Sequence, residues 1–218
     1  MSTTRHTEDA IRLNLSYVLH EPSTSPATNA LARYLLSSRQ RIATATRRLD
    51  ALPDLALLPR VVPRDLDRLW SVQADPPHVL LTLRLGAWPL LARVLALHLS
   101  EQVPRPAVHL LDDRPRGESR PLLLFRAHAR LALPPPEVLA GRRVCFATVV
   151  FRPGWHTLLL DLAPFASDPS EDWEQWTTAL ASAAEAALRE FTDQWLCSRP
   201  LWTIPAEEAL PEFDAEGI

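Results

Sequence analysis

A histidine steered by a carboxylate is a common general base, and the chain spells one such pair: His156-Thr-Leu-Leu-Leu-Asp161. The segment reads as a β-strand, however, and strand residues five apart point to opposite faces. His156 is therefore expected as a core or edge histidine. Asp112 and Asp113 are better placed, because they follow an apolar run and would sit at a strand end, where α/β proteins build sites. The preferred reading is nonetheless of loop carboxylates paired with Arg114 and Arg116. His128, the only histidine of Phe125-Arg-Ala-His-Ala-Arg130, is a further candidate base that could approach the same end. Cys145 lies in an apolar run and Cys197 at a helix end; both are expected as buried hydrophobes in a reducing compartment. No Gly-rich phosphate loop, metal-ligand cluster or Gly-x-Ser-x-Gly is present, so neither cofactor nor metal is expected.

The elements that would position these residues are legible in outline. About residues 1–70 read as helical, with Ser25-Pro26 opening a helix that carries Leu31, Tyr34, Leu35, Ile42 and Leu49. His78-Val-Leu-Leu-Thr-Leu-Arg84 is a buried strand between Pro76-Pro77 and Gly86, and a helix follows from Ala87 to Ser100. Pro106 to Leu111 and Pro121 to Phe125 are further strands. Val144 to Phe151 forms a hairpin with His156 to Leu162 across Arg152-Pro153-Gly154-Trp155. Asp168-Pro169-Ser170-Glu171 has the residue types of a helix start, and that helix should run to about Leu196. This order predicts an α/β fold, a mixed sheet with helices on both faces, in one domain over 1–205. Residues 206–218 read as an acidic, loosely ordered tail.

Composition excludes some functions. No run of 18 apolar residues spans a bilayer, and the first residues lack the apolar core of a secretory leader. The expectation is a soluble, cytoplasmic protein without a transmembrane anchor. All 23 basic residues are Arg, which with 21 Pro reads as the coding bias of a GC-rich bacterial genome. A net charge of −3 gives no general attraction to nucleic acid. Charge is uneven, though: residues 105–152 hold nine Arg against four acids, and residues 161–218 hold thirteen acids against two Arg.

The stretch from His78 to Ala92 resembles one region of the lysophospholipid acyltransferase superfamily, in its lipid A (lauroyl and myristoyl) acyltransferase branch. There an apolar strand leads into T-x-H-x-G-N-W-E and an apolar helix; Thr82, Leu85, Gly86 and Trp88 fall in that order here. Phe125-Arg-Ala-His-Ala-Arg130 is similar to the family's loop before an apolar helix, and Val144 to Phe165 to its closing hairpin. Glu190-Phe-Thr-Asp-Gln-Trp-Leu196 is similar to its terminal Y-P-E-Q-W, with Gln194 and Trp195 matching. The four pieces cover roughly the last two-thirds of the chain. The resemblance implies a truncated acyltransferase-like fold, shortened between Asp113 and Pro121.

The departures concern the chemistry itself. The family's H-x4-E/D pair should fall at positions 84 and 89, which are Arg84 and Pro89. In that family the His takes a proton from the acceptor as it attacks an acyl thioester, and the carboxylate holds the imidazole. Arg84 has no acceptor atom and stays charged, and Pro89 can orient nothing. His98 lies ~15 Å along the next helix. His78 lies ~20 Å back along the strand. His128, Asp112 and Asp113 remain as substitutes. Arg84 could bind an oxyanion as a fixed cation, though an ion pair with Asp112 or Asp113 is the preferred expectation.

The resulting expectation is a catalytically degenerate, acyltransferase-like pseudoenzyme. It would bind an acyl chain, an acyl carrier protein or a partner enzyme in a bacterial acyl or secondary-metabolite pathway. An active soluble acyltransferase with a substitute base, or an interaction module without acyl ligand, are the alternatives. An acidic carrier protein would meet Arg84, Arg114, Arg116, Arg120 and Arg130.

Overall fold

Two helices open the chain, α1 (Ser2–Leu19) and α2 (Pro26–Asp50). The start of α2 follows from its residue types: the Ser25 hydroxyl accepts the Thr28 amide at 3.1 Å, and Pro26 occupies the first turn, where its missing N–H costs nothing. Ile11 and Leu15 of α1 bury against Ala32 and Leu35 of α2. A short helix, α3 (Asp54–Leu57), leads to strand β1 (Val61–Pro63) and helix α4 (Leu66–Ala74), which Asp65 caps through the amides of Asp67 and Arg68. Then come β2 (Val79–Thr82), α5 (Leu91–Ala96), β3 (Ala107–Leu110), β4 (Pro121–Leu124), β5 (Ala127–Arg130) and α6 (Pro136–Leu139). The chain continues through β6 (Val144–Phe151), β7 (Leu158–Pro164), α7 (Trp173–Glu190) and α8 (Ala206–Ala209). The computed structural model describes residues 2–99, 103, 105–113, 121–165, 168–204 and 206–209.

Five strands form one mixed sheet in the order β1-β7-β6-β2-β3. β2 runs parallel to both β3 and β6, β6 and β7 are an antiparallel hairpin, and β1 runs parallel to β7. Every residue of β2 and β6 is buried, which is why these segments read as continuous apolar runs rather than alternating ones. Alternate side chains divide between two cores. Leu81, Phe146 and Val150 pack with Trp176, Leu180 and Leu188 of α7 on one face. Leu80, Ala147 and Val149 pack with Ile42 and Leu49 of α2 and with Leu91 and Val94 of α5 on the other. The sheet is thus covered on both sides. Each fully buried Val, Leu or Phe contributes roughly 1.5–3 kcal/mol of apolar burial. Among the described residues no helix is long and apolar enough to cross a membrane.

Several expectations need correction. The 78–84 strand is shorter, Val79–Thr82, and lies fourth of five, between β6 and the edge strand β3. The helix after it opens as a 3₁₀ turn at Trp88–Leu90 and becomes α-helical only for Leu91–Ala96. β4 and β5 stay out of the main sheet as a two-stranded ribbon, so the segment expected as a loop at 125–130 is its second strand. Phe125 and Arg126 both take positive φ (50° and 64°), the conformation of a two-residue hairpin link that turns the chain straight back. Asp168 does not start α7. Its carboxylate binds the Ser170 amide and hydroxyl and the Gly141 amide, while Asp172 caps the helix through Gln175. α7 also ends at Glu190, before a 3₁₀ turn at Thr192–Gln194. In the expected acidic tail, Ala206 is fully buried at the start of α8, and residues 210–218 lie outside the described residues.

Candidate functional site

The parallel register of β2 and β3 pairs Thr82 with Leu110, so residues two positions beyond each come together at the strand ends. Those residues are Arg84 and Asp112. The Arg84 backbone amide donates to both carboxylate oxygens of Asp112 at 3.1 Å each. Its Nη1 donates to the Asp112 carbonyl at 2.7 Å, and its Nη2 pairs with Asp113 Oδ1 at 2.7 Å. The preferred expectation for Arg84, an ion pair with Asp112 or Asp113, is met at Asp113.

A returning segment completes the cluster. Leu196 donates its amide to the Arg84 carbonyl at 2.8 Å, and Leu85 bridges to Trp195. The Trp195 indole Nε1 donates to Asp112 Oδ2 at 3.2 Å, and Arg199 Nε to the Asp112 carbonyl at 3.0 Å. One residue earlier, the Gln194 side chain accepts from the Phe151 amide and donates to its carbonyl, both at 2.8 Å. The ends of β2, β3 and β6 are therefore laced together by residues 194–199. Gly86 makes the lacing possible. It has φ +48°, and a Cβ there would lie 2.7 Å from Val150 Cα and 2.8 Å from Gln194 Oε1.

The electrostatics are those of a lock. Asp112 is wholly buried, and burial pushes its carboxyl above the ordinary carboxylate range, against the Arg84 amide, the Arg84 charge and the Trp195 indole. Burial also works against the Arg84 cation, but the Asp113 hydrogen bond and the charges of both aspartates overcome it and raise its pKa. These two shifts pull in different senses on the pair. The direction that matters for chemistry is that Arg84 keeps its charge and has no acceptor, and that both Asp112 oxygens are engaged. Of the two carboxylates, Asp112 is buried and engaged, whereas Asp113 is half-buried with its Oδ1 held by Arg84.

The other candidates are dispersed. His128 is exposed on β5, opposite Leu123 across the ribbon, and makes no bond to Asp112. Pro89 sits inside the 3₁₀ turn. Arg130 is exposed, and its carbonyl accepts Arg199 Nη2 at 2.8 Å. Arg114, Arg116 and Arg120 lie outside the described residues. His156 is exposed on the hairpin loop, whereas Asp161 faces Arg64 and Arg68 at 3.4 and 3.9 Å, so the H-x4-D spelling forms no dyad. His78 receives the Arg143 amide at the opposite end of β2. Burial pushes the Cys145 thiol up to about 12 and raises that of Cys197 too, so neither is a nucleophile at neutral pH. Among the described residues no His, Cys, Asp and Glu cluster could hold a metal.

Sequence reasoning placed Gln194 and Trp195 only as motif matches and overlooked Arg199. Nothing local in Arg199-Pro200 signals a contact with Asp112, 87 residues away in the chain. No protein-family model matches the chain, and no curated protein matches it.

Proposed function

We propose that this is a catalytically silent, acyltransferase-like protein, a pseudoenzyme that acts by binding. Its partner is an acyl chain, an acyl carrier protein or another enzyme of a bacterial acyl or secondary-metabolite pathway in the cytoplasm. One observation carries the reading. Where the related enzymes are expected to hold a general base, Arg84 is bonded into Asp112 and Asp113. A guanidinium accepts no proton, so Arg84 cannot be that base, and its Nη1 and Nη2 already bond Asp112 and Asp113.

The alternative is an active acyltransferase that uses His128, Asp112 or Asp113 as a substitute base. Asp112 is buried with both oxygens occupied, His128 faces solvent on the ribbon, and Asp113 is half-buried and paired with Arg84. The test is an acyl-transfer assay with acyl-CoA and acyl carrier protein donors, read as thiol release. The expected rate equals that of heat-killed protein. Robust turnover that disappears in His128→Ala or Asp112→Asn would overturn the proposal.

A further inference from the structure

Apart from the Arg84 cluster, a groove of about 520 Å³ lies between α2 and the β6–β7 loop. One wall is a single stripe of α2: Arg41, Thr44, Ala45, Arg48 and Leu49 recur at the three- and four-residue spacing that shares a helix face. The other wall is Arg60 and Trp155. Leu49 belongs to the core beneath, with Ala45 and Trp155 packed against that core, so the floor is apolar and continuous with the interior.

The groove's charge is one-sided. Arg41, Arg48 and Arg60 line it with no carboxylate among its walls, and none of the three forms an ion pair among the described residues. Arg41 lies over the Trp155 ring at 5.8 Å, and Arg60 donates only to the His156 carbonyl at 3.3 Å. The nearby acids are already taken: Asp50 and Asp54 both bind Arg93. Three unneutralised guanidiniums around one cavity repel each other unless an anion joins them.

The aromatic wall is held at a conformational cost. The Arg152–Trp155 turn closes through the Trp155 amide to the Arg152 carbonyl at 3.1 Å, with Pro153 second and Gly154 (φ +92°) third, as a type II turn requires. Trp155 then takes φ +63°, the left-handed region that bulky residues avoid. Phe151 packs against it in a tilted arrangement, with ring centroids 5.0 Å apart. Strained residues held by their surroundings gather at binding sites.

We infer that this groove binds a small amphipathic oxyanion, a carboxylate or phosphate carrying an apolar chain. The guanidiniums bind the head in forked fashion, and Trp155, Ala45 and Leu49 receive the chain. A volume near 520 Å³ falls within the ordinary range of small-molecule sites. The proposal does not depend on catalytic silence, because no residue of the groove belongs to the Arg84 cluster.

The experiment titrates decanoate, decyl phosphate, decanol, decyltrimethylammonium and inorganic phosphate below micelle formation. Trp155 fluorescence and calorimetry are read together, with Trp155→Phe identifying the signal. Both amphipathic anions should bind saturably, at least tenfold tighter than decanol or inorganic phosphate, and the tighter of the two names the headgroup. Arg41→Glu with Arg48→Glu should weaken both anions at least tenfold; if that variant does not fold, Arg41→Gln with Arg48→Gln should weaken them at least threefold. Equal affinity for decanol or the ammonium, unchanged affinity in the arginine variants, or no saturable binding would each overturn the inference.

Discussion

Two arginine clusters, one at a strand end and one along α2, are built on opposite plans. Past β2, Arg84 is 26% exposed and spends its donors on Asp112 and Asp113. Past β6, Arg41, Arg48 and Arg60 surround an open groove and meet no carboxylate among the described residues. The same side chain thus serves two ends. A guanidinium with internal partners holds backbone in place, and one without them is left for a ligand. The difference lies in the neighbours that the fold supplies.

Breaking the lock should cost far more stability than emptying the groove. Asp112→Ala removes the acceptor for the Arg84 amide and the Trp195 indole and leaves both buried, so urea unfolding should show a loss of about 3 kcal/mol. Gly86→Ala should follow at roughly 2–3 kcal/mol, because it combines a left-handed φ with contact against the Val150 backbone. Arg41→Gln and Arg48→Gln should change stability by less than about 0.5 kcal/mol, since exposed positions without an ion pair rarely matter more. If groove and lock variants lose stability equally, the comparison fails.

pH sharpens the contrast with a smaller effect. Burial raises the folded-state pKa of Asp112 above its unfolded value near 3.8. Its contribution is therefore fully present below that value and is lost as pH rises through the folded pKa. The stability of wild type minus that of Asp112→Asn should accordingly fall with pH from about 4 upward and level off once Asp112 is ionised. A difference that rises over this window would mean that Arg84 and Trp195 outweigh burial. Arg41→Gln should leave the slope unchanged.

Legibility in the sequence followed how local each cause is. Ser25-Pro26 announces α2 because a cap and a first-turn proline act within three residues. The buried runs of β2 and β6 are visible because both faces of those strands are covered. Asp168-Pro169 misled because Asx-type bonding to Ser170 uses the same residue types as a helix cap. The Arg84–Asp113 pairing followed from the parallel strands, whose shared register aligns their ends. The groove was illegible: Arg41 and Trp155 are more than a hundred residues apart, and no spacing rule brings a hairpin loop to the side of α2.

The division of labour between the clusters is tested most directly by urea unfolding with and without saturating amphipathic anion. Wild type, Arg84→Gln and the Arg41→Glu/Arg48→Glu double variant would be compared. A ligand at a hundred times its Kd stabilises its protein by about 2.7 kcal/mol. The account predicts that increment in wild type and in Arg84→Gln, however low the latter's baseline, and almost none in the double variant. An increment lost in Arg84→Gln and kept in the double variant would contradict it.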